Sequence, residues 1–295
     1  MSEKPVLSVI VASYNSKTTI GSCLTSLESQ TVDKEFEVIV VDSSVDGTAG
    51  IVAQKFPRVR LHAFPDRKYC GDARNFGISV AKADLIAFLD ADCTADVRWV
   101  EEIVRAHEKD ALAVGGSVAS AEPGSMVGWA SYFTEFSPWM PKARPCWLKD
   151  IAGANMSYKK AAFALFGGFI EETYCSDTEF HWRMTKKGRL LYFQPSIRVS
   201  HRNIASPGKF LSHEFMHGRS FGRVRVRYGN FSKMPRLFYA LLFFPIACKL
   251  FLQVIGRNLK NKIYLKYFLF SLPLVAAGLL AWSLGEAAGY LERQK

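Results

Sequence analysis

The sequence predicts a doubly wound α/β domain built on a mostly parallel sheet, with apolar, membrane-associated helices at its C-terminal end. Three observations predict it. Apolar, β-branched runs alternate with helical segments between residues 6 and 89. Continuous apolar strands of this kind are buried on both faces, as in a parallel sheet covered by helices. Asp42 and Asp90 each stand directly after such a run, and open α/β sheets bind their ligands outside the carboxyl ends of their strands. Finally, the basic excess is confined to one end: residues 1–196 carry 22 Lys and Arg against 24 Asp and Glu, and residues 197–295 carry 16 against 3.

The elements follow in order. VLSVIVAS (Val6 to Ser13) reads as the first strand, and Thr18 to Leu27 as a helix. FEVIVV (Phe36 to Val41) is a second strand, followed by the turn DSSVDGT and a helix from Ala49. Val59 to Phe64 is a third strand, Asp72 to Ala81 a helix, and DLIAFL (Asp84 to Leu89) a fourth strand. Leu112 to Ser120 is a further strand. Gly124 to Trp147 has no clear period, and its aromatics (Trp129, Tyr132, Trp139, Trp147) argue for an ordered loop that serves function rather than for disorder. Asp177 to Lys187 is a helix closed by Gly188, and Leu190 to Phe193 a strand.

The six cysteines form no CxxC pair, so free thiols in a reducing compartment fit better than disulfides or zinc. The opening MSEKPVLSVIVASYN shows no cleavable-signal pattern and reads as a strand, which places the main domain in the cytoplasm. Two apolar segments end the chain. Leu237 to Ile255 is interrupted by Pro245 and Lys249, as suits a segment in the membrane interface, whereas Tyr267 to Leu284 is uncharged and just long enough to span. The basic linker GRNLKNKIYLK between them conflicts with a simple two-span hairpin under the positive-inside rule. Arg219, Arg223, Arg225, Arg227, Lys233 and Arg236 lie just before them, an arrangement that suits anionic headgroups better than nucleic acid. The expected division is a main domain over 1–215, a basic juxtamembrane segment over 216–236 and a hydrophobic membrane-association region over 237–295.

FLDADC (Phe88 to Cys93) places Asp90 and Asp92 one residue apart. In extended chain, i and i+2 point to one side. Paired hard oxygens there suit Mg²⁺ or Mn²⁺. An EF-hand is excluded, because Ala95 stands where that loop needs glycine and a strand precedes it. Capping by Asp92 or Thr94 accounts for one acid, not two. Asp42 lies on the same binding edge; Asp46, in the turn, reads as a turn or N-cap residue. Arg74, in GDARNFGI near a helix start, is unfavourable against the helix dipole unless it faces an anion. Glu179 and Arg183 have the i, i+4 spacing of a surface salt bridge. Gly167-Gly168-Phe169 reads as a turn.

The ordered set VLSVIVASYN, VDSSVDGT, GDARNFGI, AKADLIAFLDADC, AGANMSYKK and SDTEFHWR resembles the family 2 inverting glycosyltransferases, which have a GT-A fold. The resemblance covers about residues 5–202, and an apolar tail is common in membrane-attached members. It implies that Tyr14, Asp42 and Arg74 hold the nucleotide, that Asp90 lies near the ribose or the metal, and that Asp92 binds a Mg²⁺ or Mn²⁺ bridging the donor diphosphate. His201, in RVSHRN, matches a position near that metal; a structural histidine is the competing reading. The family's Glu-Asp pair matches Ser176-Asp177, with Asp177 the general base and Ser176 a departure. Gly153 and Asn155 border the donor sugar and acceptor, and Trp139, with the aromatic loop around it, offers rings that stack on sugar faces. The implied partners are a nucleotide-diphosphate sugar, a glycan or lipid-linked acceptor and an anionic membrane surface, with no nucleic acid. Two rivals are weighed. A sugar nucleotidyltransferase would carry a glycine-rich basic signature where this chain reads ASYNSKTT, and a non-catalytic nucleotide-sugar-binding protein has only Ser176 in its favour.

Overall fold

The computed structural model describes residues 4–121 and 124–292. In chain order the elements are β1 (Ser8–Ser13), α1 (Ile20–Glu28), β2 (Glu37–Asp42), α2 (Thr48–Lys55), β3 (Arg60–Ala63), α3 (Cys70–Val80), β4 (Leu85–Leu89), β5 (Cys93–Ala95), α4 (Trp99–Ala106), β6 (Ala113–Ser120), α5 (Met126–Phe136), a 3₁₀ turn (Ser137–Trp139), β7 (Cys146–Leu148), β8 (Asn155–Lys159), α6 (Ala161–Phe166), α7 (Ser176–Lys186), β9 (Leu191–His201), α8 (Pro207–Gly229), α9 (Lys233–Leu241), α10 (Phe243–Asn261) and α11 (Leu265–Leu291). The chain divides into two compact units. The first is residues 1–119 with 143–201; the second is 120–142 with 202–295. The division thus falls at His201, not at residue 215, and the aromatic stretch belongs with the C-terminal helices.

In the first unit, the strands of the described residues form one sheet in the order β3-β2-β1-β4-β8-β6-β9-β5, with β7 on β9. β1 pairs in parallel with both β2 and β4, and β2 with β3. The chain therefore runs outward from β1 to β3 and returns to the other side of β1 for β4. That reversal is a topological switch point, where open α/β sheets bind ligands. β8 is antiparallel to β4, and β5 is antiparallel to β9. The doubly wound domain stands as expected; the antiparallel additions were not legible as such. The core is apolar: Ile10, Ile39, Val41, Ile86, Phe88, Met156, Tyr158, Phe169 and Phe180 are all buried. Gly77 lets α3 lie on β1, since a Cβ there would come within 2.5 Å of Ile10. Gly167 takes a left-handed φ of +79°, the turn expected there. Arg183 bonds Glu179 at 2.9 Å and the Gly168 carbonyl at 2.6 Å, so this pair anchors that turn and Glu179 is buried.

The second unit is helical. Gly124 to Trp147, read from the sequence as an irregular loop, contains the three-turn helix α5 (Met126–Phe136). Ser125 caps it by accepting from Gly128 N at 3.0 Å. Its aromatic side chains form a core: Trp129 stacks on Tyr267 at 4.4 Å, and Phe133 meets Phe268 at 5.1 Å. α8 and α11 approach through glycines on both helices. A Cβ on Gly218 would lie 1.9 Å from the Trp282 carbonyl, and one on Gly285 2.0 Å from that of Phe215. Gly222 and Gly289 repeat the contact one turn along, the small-xxx-small pattern of close helix pairs. α9 and α10 meet at a 59° bend. Pro245 explains the start of α10: it falls in the first turn, where its missing N–H has no intrahelical partner to lose. One helix, α11, is long and apolar enough by length and composition to cross a membrane.

Candidate active site

The candidate site lies at the carboxyl ends of β1, β2 and β4. Ser13 and Asp42 are register partners, so the residues after β1 and the end of β2 share one edge. Asp42 is 1% exposed and accepts hydrogen bonds from Ser44 Oγ at 2.6 Å and Ser44 N at 3.2 Å. Tyr14 is exposed, and the Arg67 guanidinium lies 4.5 Å from its ring and 4.7 Å from that of Tyr69. This aromatic–guanidinium stack can take a planar base. Arg67 and Tyr69 sit between recognisable motifs in a stretch of no period, so no local signal identified them. Asp46 accepts from Lys17 N and Thr48 N and so ties the two loops together, as a turn residue should.

Arg74 falls in the second turn of α3, not the first, and is 4% exposed. Its Nη2 donates to Asp90 Oδ1 at 3.2 Å and to the Gly153 carbonyl at 3.0 Å. It faces an anion, and at this depth in the helix the partner, not the helix dipole, accounts for its place. Burial and the neighbouring Asp92 push the Asp90 carboxyl up and Arg74 pulls it down, leaving it at about 6. Burial pushes two nearby thiols up as well: Cys93 far above its ordinary range and Cys70 to about 11. Both stay protonated.

Asp92 meets His201 across the sheet. Cys93 and His201 are partners in the β5–β9 ladder, which carries the histidine 108 residues back to the acidic pair. His201 Nε2 lies 3.4 Å from Asp92 Oδ1. The ligand atoms of Asp92, Cys93 and His201 lie within 4.8 Å of one another, a spacing that a metal ion can fill. A carboxylate and an imidazole fit a divalent cation such as Mn²⁺, whereas the soft sulfur of Cys93 suits softer metals. Asp90 is outside this trio and holds Arg74.

Asp177 stands in the first turn of α7, half-buried. Gly153 lies against it: an added Cβ would come within 2.0 Å of Asp177 Oδ2. The Gly153 carbonyl holds Arg74 and its α-carbon backs Asp177, so one glycine connects the Asp90 end of the site to the base end. Ser176 is buried against Gly71, whose added Cβ would lie 3.2 Å from the serine Oγ.

Two expected site residues are placed differently. Asn155 is 1% exposed. Its amide is occupied by Ser117 O and Ile197 O, each at 2.9 Å, and by Trp99 Nε1 at 2.9 Å. It ties β8 to β6 and β9, and so supports the site rather than lining it. Trp139 lies half-buried in the 3₁₀ turn of the second unit. Trp129 and Tyr132, expected in an acceptor-shaping loop, are 2% and 0% exposed and have no face left for a sugar.

The sequence profile described as glycosyl transferase family 2 matches residues 8–166, more than half of the chain. Glycosyltransferase AglE of Haloferax volcanii is 29% identical over 231 residues, which covers 75% of this chain and 74% of the relative. The glucosyl-dolichyl phosphate glucuronosyltransferase of the same organism is 26% identical over 188 residues, covering 57% of this chain and 56% of that protein. Among solved structures, the mannosyltransferase PcManGT from Pyrobaculum calidifontis, in complex with GDP-Man and Mn²⁺, matches with a TM-score of 0.57 at 19% identity, over 94% of this chain and 74% of that one. At that identity the likeness concerns the fold.

Proposed function

The chain belongs to glycosyl transferase family 2, and on that premise we propose that it is a metal-dependent inverting enzyme. It transfers a sugar from a nucleotide-diphosphate sugar to a hydroxyl on a lipid-linked or polysaccharide-precursor acceptor, at the cytoplasmic face of a membrane. One observation carries this reading. A nucleotide edge (Tyr14, Asp42, Arg67), a cation pair (Asp92, His201) and a half-buried carboxylate (Asp177) converge at one switch point, joined through Arg74 and Gly153.

Each residue then has a task. Tyr14 and Arg67 stack the base, and Asp42 accepts hydrogen bonds from it. Asp92 and His201 would hold Mg²⁺ or Mn²⁺, and a nitrogen ligand tilts this set toward Mn²⁺. Such an ion, when bound, offsets as a Lewis acid the charge that develops on the leaving diphosphate. Arg74 holds Asp90 and the Gly153 carbonyl in place. Asp177 accepts the proton of the attacking hydroxyl while that oxygen approaches the anomeric carbon opposite the diphosphate, which inverts the centre.

Membrane attachment is supported by α11 and by exposed apolar side chains on α9 and α10, among them Phe238, Leu241, Phe244 and Leu252. GDP-mannose, the ligand of the structural neighbour, is the first donor to test. The test is a thermal-shift series with GDP- and UDP-sugars, with and without Mn²⁺, followed by turnover of the stabilising donor. Metal-dependent stabilisation by at least one donor is expected. Its absence for all of them sinks the reading.

A further inference from the structure

The roles above leave one buried polar group without a use. His181 follows Asp177 by four residues on α7, so the two side chains share a helix face. Its ring is 0% exposed. Nδ1 lies 2.5 Å from Asp150 Oδ1, and Nε2 lies 2.6 Å from the Tyr158 hydroxyl. Burial holds the Tyr158 phenol well above its usual range, so it keeps its proton. The hydroxyl also lies 3.1 Å from Met156 Sδ, but sulfur is the weaker acceptor. Tyr158 therefore donates to Nε2, and Nδ1–H donates to Asp150. This directed chain fixes a carboxylate whose side chain is still 38% exposed.

The segment from Asp150 to Gly153 thus runs along one face of α7. Asp150 rests on His181 and Gly153 on Asp177. His181, which holds Asp150, stands one helical turn along α7 from Asp177, with roughly 6 Å between their β-carbons. Ser176 supplies no acid beside the base. Sugar transfer leaves hydroxyls next to the attacking one, and these need acceptors.

We propose that Asp150 is an acceptor-binding carboxylate, positioned by His181 and Tyr158, that takes hydrogen bonds from hydroxyls neighbouring the one deprotonated by Asp177. The proposal rests on the glycosyltransferase reading and narrows it. Two carboxylates set along one face of α7 welcome a neutral diol and repel a phosphate oxyanion. The acceptor is then a sugar hydroxyl, not the phosphate of a polyprenyl phosphate. In the step itself the acceptor oxygen bonds to the anomeric carbon as the carbon–oxygen bond to the diphosphate breaks. The electron pair leaves with the nucleoside diphosphate, and the hydroxyl proton passes to Asp177.

The test uses the full chain, the donor that turns over, and two surrogate acceptors of equal chain length: octyl glucoside and octyl phosphate. Octyl glucoside should be the preferred acceptor. Asp150→Asn still accepts from His181, so the fold and melting temperature should hold. Its KM for octyl glucoside should rise about tenfold, as expected for a lost charge-assisted hydrogen bond, with the donor KM unchanged. His181→Ala should give the same split by freeing Asp150, and His181→Gln should restore part of it. No preference for octyl glucoside over octyl phosphate, or an unchanged KM in Asp150→Asn, overturns the proposal alone. A wild-type chain that turns over no nucleotide sugar removes the glycosyltransferase reading, and this proposal with it.

Discussion

Two clusters of like charge, one in each unit, meet opposite fates. On α8 and α9 the basic cluster finds acids within its own unit. Arg219 and Arg223 both pair with Glu292, and Arg225 meets Glu286 at 3.3 Å and the Tyr290 hydroxyl at 2.6 Å. Arg236 donates to the Tyr290 carbonyl at 2.6 Å. Arg227 and Lys233 stay exposed and remain suited to anionic headgroups. At the end of β4, Asp90 meets Arg74, yet its carboxyl still sits at about 6, raised by burial and by Asp92. The fold gives four of the six basic side chains a partner but only two acids among them, and at the acid pair one arginine faces Asp90 while Asp92 stands beside it. A like-charge cluster therefore points to a ligand only where the surrounding structure leaves the charge in place.

The sharpest way to break this comparison is to remove the acids. Asp177→Asn should lower turnover about 10²- to 10⁴-fold and leave the melting temperature unchanged. Asp92→Asn should abolish the Mn²⁺-dependent part of donor stabilisation; if that part survives, the acid pair holds no cation. Next in size is a buried base in the same unit. His107 is 5% exposed, bonds Ser157 Oγ at 2.9 Å, and is pulled down by burial and Lys159 to about 4 from an ordinary 6.5. The unfolded chain binds the proton more readily between those values, so stability is complete above pH 6.5 and is lost as pH falls toward 4. The loss is about 3 kcal/mol. Denaturant titrations of wild type and His107→Gln at pH 7.5 and 4.5 check it: the variant should show the smaller difference.

The arginine cluster offers the converse test. Glu286→Gln together with Glu292→Gln should destabilise the helical unit by about 2 kcal/mol, because Glu286 is buried whereas its partner Arg225 is about a third exposed. The freed arginines should also strengthen binding to phosphatidylserine vesicles in a salt-sensitive way. Unchanged vesicle binding would mean the cluster already faced headgroups. The smallest effect concerns Asp90. Its carboxyl must lose a proton beside an incoming cation, so Mn²⁺ affinity should be constant above about pH 7 and fall up to tenfold per unit below 6. A fluorescence titration that stays flat from pH 7 to 5 would place the ion away from Asp90.

Much of the fold was legible because its signals are local. The apolar runs of β1, β2 and β4 gave themselves away by composition, and their last residues had to lie on the binding edge. Asp42, Asp90 and Asp92 were placed at strand ends by this signal, and Asp177 at a helix start. The aromatic stretch was misread as an acceptor loop because helix α5 is apolar nearly all round, without the one-sided period that marks a surface helix. Asn155 was misplaced for a related reason: a small polar residue near a site looks the same in sequence whether its amide faces a ligand or, as here, ties three strands together.

By itself, the sequence determined the alternation of strands and helices, the sheet edge that carries Asp42 and Asp90, and the place of Asp177 at a helix start. These depend on periods of two and 3.6 residues and on chain direction, which neighbouring residues encode. Only the tertiary structure decided which distant side chains meet. His201 reaches Asp92 through the register of β5 on β9, Gly153 backs Asp177, His181 holds Asp150, and the α11 acids answer the α8 arginines. Each of these contacts joins segments far apart in the chain, and each is set by strand register, by helix–helix approach or by a loop laid along a helix. No local pattern specifies either one.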